Sequence, residues 1–201
     1  MMRVLVIGGT GLIGAEVVKE LGDRHEVITA GLNNGDIKVD IQSKESINNM
    51  FEQIGNIDAV VSTTGKVVFK SMESLSEEDH MVGINNKLMG QINLSKISQD
   101  YLNDNGSITL TSGILNIEPI FQGVSAAMVN GAIDGFVTGA SIEMPRGIRI
   151  NVVSPTVVKE AMGKYASYFR GYKPVTVADV ALAYSKSVEG RMTGKVIKAG
   201  Y

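Results

Sequence analysis

At 201 residues the chain has room for one α/β domain with a sizeable core, and none for a separate substrate domain. A net charge of -2, with 20% charged and 44% hydrophobic residues, describes an ordinary soluble globule and gives no electrostatic case for nucleic acid or an acidic membrane surface. Without cysteine there is no disulfide framework, thiolate nucleophile or cysteine metal site, and His25 and His80 alone form no zinc pattern, so no metal site is expected.

The run Val4 to Ile7 is apolar and β-branched, as a parallel strand buried on both faces should be. Glycines follow at once: Gly9, Gly11 and Gly14 fit G-x-G-x-x-G, while Gly8, Gly11 and Gly14 fit G-x-x-G-x-x-G. Ala15 to Leu21 then carries apolar residues at helical spacing. Strand, glycine turn and helix together make a nucleotide site: glycine lets backbone approach a pyrophosphate, and the free N–H groups at the helix start attract the anion. One basic residue and a short apolar run at the N-terminus resemble neither a signal peptide nor a membrane span, so a cytoplasmic protein is expected.

Glu26 to Ala30 reads as a second strand, ending in the turn Gly31-Leu32-Asn33-Asn34-Gly35. An acid at that strand end would bind adenosine ribose hydroxyls and favour NAD. Leu32 and Asn33 stand there instead, with no arginine or lysine to hold a 2′-phosphate, and the missing acid tilts an otherwise open choice between NAD and NADP slightly toward NADP. Ile37 to Val39 is a short third strand ending in Asp40-Ile41, and Ser43 caps a helix to about Gln53. Ile57 to Ser62 is the fourth strand, ending in Thr63-Thr64-Gly65. Ser76 then opens a long helix to about Leu102. Asn105-Gly106 turns the chain into a fifth strand, Ser107 to Thr111, which delivers Ser112-Gly113 to the edge where ligands of parallel sheets collect. Ile114 to Gln122 reads as loop, Val124 to Glu143 as a second long helix, and Arg149 to Val153 as the sixth strand. Lys159 to Lys173, with Tyr165, Tyr168 and Tyr172, has the look of a flexible lid. Thr176 caps a helix to about Val188, and Lys195 to Ala199 is the last strand.

In order and spacing, the chain resembles the short-chain dehydrogenase/reductase family along almost its whole length. The matching residues are the GGTGLIG loop, Asp40-Ile41, Val60 to Gly65, Asn85, Ser112, the run Gly147-Ile148-Arg149-Ile150-Asn151-Val152-Val153-Ser154-Pro155, and Thr193 to Ile197. The resemblance implies one Rossmann-type domain over 1–201, a doubly wound parallel sheet of about seven strands between two helix layers, binding NAD or NADP across its carboxyl edge. It assigns the pyrophosphate to Gly8, Gly9, Thr10, Gly11, Leu12, Ile13 and Gly14, the adenine to Asp40 and Ile41, and the ribose to Thr63, Thr64 and Gly65, with Pro155 also at the cofactor. Leu12 departs from a glycine of the family's main branch, and Thr156 stands where a glycine usually follows the proline.

The family reduces or oxidises a small carbonyl or alcohol with a serine, an asparagine and a Tyr-x-x-x-Lys pair. Ser112 and Asn85 match the first two. Matching Ala132 to Phe136 with the family's helix puts Ala126 at the tyrosine and Asn130 at the lysine. A phenol serves as general acid only beside a positive charge that lowers its pKa, so the usual chemistry is not available unchanged. Three accounts follow: a replacement acid, from Tyr165, Tyr168 or Lys87; transfer to an activated acceptor that needs no strong acid; or a dinucleotide sensor or scaffold without turnover. The leading reading is an oxidoreductase with an atypical site. The resemblance also implies a homodimer or homotetramer through the helices Ser76 to Leu102 and Val124 to Glu143.

Overall fold

The strands of the computed structural model, which describes every residue from Met1 to Tyr201, are β1 (Arg3–Ile7), β2 (Glu26–Gly31), β3 (Ile37–Lys38), β4 (Ile57–Ser62), β5 (Leu102–Thr111), β6 (Arg149–Pro155) and β7 (Val196–Ala199). All pair in parallel, in the order β3-β2-β1-β4-β5-β6-β7. The helices α1 (Leu12–Gly22) and α7 (Val177–Glu189) cover one face. The other is covered by α2 (Lys44–Ile54), α4 (Met89–Ser98) and α5 (Val124–Ala140).

Side chains alternate across a strand, and that splits β1 between two cores. Leu5 and Ile7 pack with Phe51, Leu94 and Ile133, whereas Val4 and Val6 pack with Val17, Leu21, Val180 and Tyr184. All four β1 residues are buried, which is why the segment reads as a continuous apolar run rather than an alternating one. Burying each stabilises the fold by about 1.5–3 kcal/mol before entropy is counted. No helix is long and apolar enough to cross a membrane.

Several boundaries differ from expectation for identifiable reasons. The helix α1 begins at Leu12, not Ala15, because Gly11 already serves as its cap. Val39 leaves β3 yet stays buried under α2. The long helix expected from Ser76 to Leu102 is three pieces: α3 (Glu77–Gly83), a π-helical turn (Ile84–Leu88) and α4. Strand β5 starts at Leu102, and the expected Asn105-Gly106 turn is a bulge inside it: Ile57 pairs with Leu102 and Ala59 with Ser107, so the intervening residues loop out of the ladder. Helix α5 stops at Ala140 rather than Glu143.

The expected loop after β5 contains a 3-10 turn, Ile114–Asn116. The segment expected as a lid folds into a 3-10 turn (Lys159–Ala161) and the short helix α6 (Met162–Tyr165). It is pinned where Val158 bridges Val175 and by Phe169, which packs among Ile114, Leu115 and Val157.

Candidate functional site

From β1 the chain winds outward one way through β2 and β3, then crosses to β4 and winds the other way, so a crevice opens at the carboxyl ends of β1 and β4. The turn after β1 is built for close approach. Gly8 has φ +81°, in the left-handed region, and its carbonyl accepts the Gly11 N–H at 2.9 Å. A Cβ on Gly14 would overlap that carbonyl and lie 2.7 Å from Thr63 Oγ1. Gly9 abuts Thr29, and Thr10, Gly11 and Leu12 stand exposed around the loop's open side. Ser43, Ser76 and Thr176 cap α2, α3 and α7 with side-chain oxygens, but Gly11 gives α1 no side-chain cap, so its first N–H groups remain available to an anion. These residues fit a dinucleotide pyrophosphate.

Beside this loop a small cavity of about 80 Å³ brings Asp40, Ile41 and Thr64 together with Leu32, Val39 and Asn86. Asp40 is partly committed, since its carboxylate accepts the Gln42 N–H at 2.9 Å. Asp36, the acid nearest the end of β2 in sequence, is turned back on the strand: it accepts from the Thr29 N–H and hydroxyl, which hold its carboxyl below the usual range. Lys38 stands in register with Gly31 on the adjoining strand. Thr63 differs from Thr64. Its hydroxyl donates to the Ile7 carbonyl at 3.0 Å and closes the β1–β4 crevice from below.

At the end of β5, Ser112 is 4% exposed, and its hydroxyl has no hydrogen-bond partner in the protein. Its backbone carbonyl accepts from Lys87 Nζ at 2.8 Å, and the same ammonium donates to Asn130 Oδ1 at 2.7 Å. Asn130 is buried and passes the chain on, donating through Nδ2 to the Gly113 carbonyl at 3.1 Å. Desolvation lowers the pKa of Lys87 from 10.5 to about 8, with Asp134 on α5 opposing the shift. Gly65, at φ +150°, lies against the stem of Lys87, where any Cβ would collide with its Cβ and Cγ. Ala126, beneath Ile114 and Leu115, is buried in apolar surroundings.

Asn85 is not part of this cluster. It is exposed on a surface groove with Gln42, Lys66 and Glu78, and Lys87 two residues on reaches Ser112 instead. The π turn is the reason, because its wider winding rotates the side chains out of α-helical phase. Tyr172 donates to the Glu118 and Pro119 carbonyls, Tyr165 lies tilted at 50° against Phe69, and Tyr168 is exposed beside them.

Next to Pro155 lies an apolar cavity of about 200 Å³, walled by Ile13, Phe69, Leu115, Val157, Tyr165 and Phe169. Phe69 and Tyr165 also line a second, outer space of about 340 Å³ with Lys164 at its rim. The expected cofactor residues Ile13 and Pro155 therefore border an apolar chamber.

A family model described as Enoyl-(Acyl carrier protein) reductase matches residues 7–189. The chain belongs to the short-chain dehydrogenase/reductase family. Among its relatives is the hydroxynaphthalene reductase-like protein Arp2 of Metarhizium brunneum, 29% identical over 186 residues, 80% of this chain and 70% of that protein. The crystal structure of the protein lin1944 from Listeria innocua superposes with a TM-score of 0.97 at 49% identity, over 98% of this chain and 99% of that one. A small-chain dehydrogenase crystallised in complex with NADPH superposes at 0.87 with 29% identity, covering 98% and 95%.

In this short-chain dehydrogenase/reductase, three contributors escape sequence reasoning. Gln91, fully buried on α4, donates to the Thr111 carbonyl at 2.9 Å and accepts the Thr111 N–H at 2.9 Å, tying the π turn to the end of β5. It lies on a helix face that also buries Asn93, Ser95 and Ser98, so nothing in the sequence singles it out. Phe69 and Phe169 wall the chamber from segments without periodicity, and nothing in the sequence marks them.

Proposed function

We propose that the protein is an NADP(H)-dependent oxidoreductase of small, apolar carbonyl compounds and the corresponding alcohols. The observation that carries this is the convergence, at one sheet edge, of the glycine loop, the unpartnered Ser112 hydroxyl and the apolar chamber beside Pro155. In this reading the N–H groups from Gly8 to Gly14 hold the pyrophosphate, Asp40, Ile41 and Thr64 the adenine, Thr63 and Gly65 the ribose region, and Pro155 borders the nicotinamide end. When bound, the nicotinamide supplies or accepts a hydride. Ser112 donates its free hydroxyl hydrogen bond to the substrate oxygen, which fixes the carbonyl carbon in place. The chamber walls take the substrate's apolar flank and exclude water, strengthening every hydrogen bond within.

The commitment of Asp36 Oδ2 to the Thr29 N–H and hydroxyl, with Lys38 in register beside Gly31, supports NADP over NAD. The NADPH complex of the 29% identical dehydrogenase and the reductase name carried by the fungal relative support the same direction of reading. A homo-oligomer is part of the proposal: the outward side of α5 exposes Val124 and Met128, and Gly135 and Gly139 leave open space there for close packing.

Calorimetric titration with NADPH and NADH, followed by the loss of NADPH absorbance with 2-tetralone, tests the function. Micromolar NADPH binding and turnover are expected. Failure of both dinucleotides to bind refutes it.

A further inference from the structure

We infer that Lys87 is the proton donor and acceptor of this site: its ammonium, held between the Ser112 carbonyl and the Asn130 amide, gives a proton to the substrate oxygen in reduction and takes it back in oxidation. This rests on the oxidoreductase reading above, and assigns within it the residue that performs proton transfer.

Four features separate Lys87 from a merely structural lysine. Its two hydrogen-bond partners, the Ser112 carbonyl and Asn130 Oδ1, are both uncharged, so the ammonium is in no ion pair. Asp134, the charged group whose field reaches it, is instead engaged with Asn116 Nδ2 at 2.8 Å. An ammonium has three N–H donors, and the third has no partner in the protein. The position is also fixed from three sides, by Gly65 against its stem, by Gln91 bonded to the Lys87 carbonyl at 3.1 Å, and by Asn130 at its tip. Withdrawal from water brings its pKa to about 8, where both protonation states are populated near neutral pH.

No phenol competes. Tyr184 shares its hydroxyl hydrogen bond with Thr111 behind the sheet, Tyr201 with Ser154 and Tyr172 with two carbonyls, and burial raises the pKa of all three. The sequence alignment of Asn130 with the family's lysine position acquires a physical sense here. The positive charge enters from the π turn and meets the amide that stands at that place.

The step balances simply. A reduced nicotinamide dinucleotide supplies the hydride pair to the carbonyl carbon, an N–H bond of Lys87 breaks as an O–H bond forms on the substrate oxygen, and solvent reprotonates the neutral amine. Reduction therefore requires the ammonium and declines above pH ~8, whereas oxidation requires the neutral amine and rises through the same region.

The test compares wild type with Lys87→Met and Lys87→Arg, using NADPH with 2-tetralone and the reverse reaction with 2-tetralol. Titration of the Lys87 ammonium by NMR in lysine-labelled protein gives a readout independent of turnover. Expected are NADPH affinities within about threefold of wild type for both variants, turnover lowered about 10²–10⁴-fold in Lys87→Met, and no rise of oxidation through pH 8 in Lys87→Arg, whose guanidinium does not deprotonate. The wild-type amine should titrate near pH 8, in a signal absent from Lys87→Met. Retained turnover in Lys87→Met, or an amine still charged at pH 10, overturns the assignment. Loss of NADPH binding by wild type itself overturns the oxidoreductase reading beneath it.

Discussion

Removing the ammonium of Lys87 should change how stability depends on pH, in a direction opposite to that of an ordinary paired lysine. In the unfolded chain this amine titrates at 10.5, and in the fold at about 8, because burial penalises its charge. At neutral pH both states are charged and the fold bears the full cost. As pH rises past 8 the folded protein sheds the proton first, the unfolded state holds more protons, and stability climbs until about 10.5. The gap corresponds to ~3 kcal/mol at about 1.4 kcal/mol per pH unit. In Lys87→Met that rise is absent, while every other titrating group is retained. At pH 7 the variant escapes the ~3 kcal/mol cost but strands the Ser112 carbonyl and Asn130 Oδ1, at roughly 1–3 kcal/mol each, so its stability there should lie close to that of wild type. By pH 10 it should be the less stable protein by a few kcal/mol. Urea unfolding followed by circular dichroism at pH 7, 8.5 and 10 measures the difference. Stability profiles of the two proteins that run parallel refute the reasoning, since they mean that the amine titrates alike in both states.

Ser112→Ala should separate function from stability. Its hydroxyl is buried without a partner, so the substitution should alter unfolding free energy by less than about 1 kcal/mol and still lower 2-tetralone turnover at least tenfold. Gly14→Ala places a methyl on the Gly8 carbonyl; a loss of about 1–3 kcal/mol of stability and of NADPH binding by calorimetry is expected. Leu32→Asp, at a site 63% exposed, should weaken NADPH at least tenfold and leave NADH equal or better, because the new carboxylate repels a 2′-phosphate and accepts from ribose hydroxyls. Phe169→Ala opens the chamber wall and should raise the KM for 2-tetralone severalfold, with NADPH affinity little changed.

The fold was legible because its signals are local. Val4 to Ile7 is a run that only a doubly covered strand explains, and Ser43, Ser76 and Thr176 mark helix starts with hydroxyls that do accept backbone N–H groups. The glycine loop was legible for the same reason: Gly8 and Gly14 answer a steric demand made within seven positions of chain. The polar end of the site depends instead on helical phase, which a sequence records poorly. The family resemblance offers Asn85 to the cleft and Lys87 only as one of three replacement acids, and counting in α-helical steps does not choose between them. The π turn at Ile84–Leu88 breaks that count, exposes Asn85 and swings Lys87 onto Ser112 and Asn130. No residue in Ile-Asn-Asn-Lys-Leu announces such a turn; it is stabilised by partners far away in sequence, Gln91 clamping Thr111 and Gly65 leaving room for the lysine stem. Gly65 therefore has two readings that sequence alone cannot separate, a glycine beside a ribose and a glycine beside Lys87, and the second couples them. A side chain there would push the lysine away from Ser112 and, in the proposed cofactor arrangement, would crowd the ribose as well.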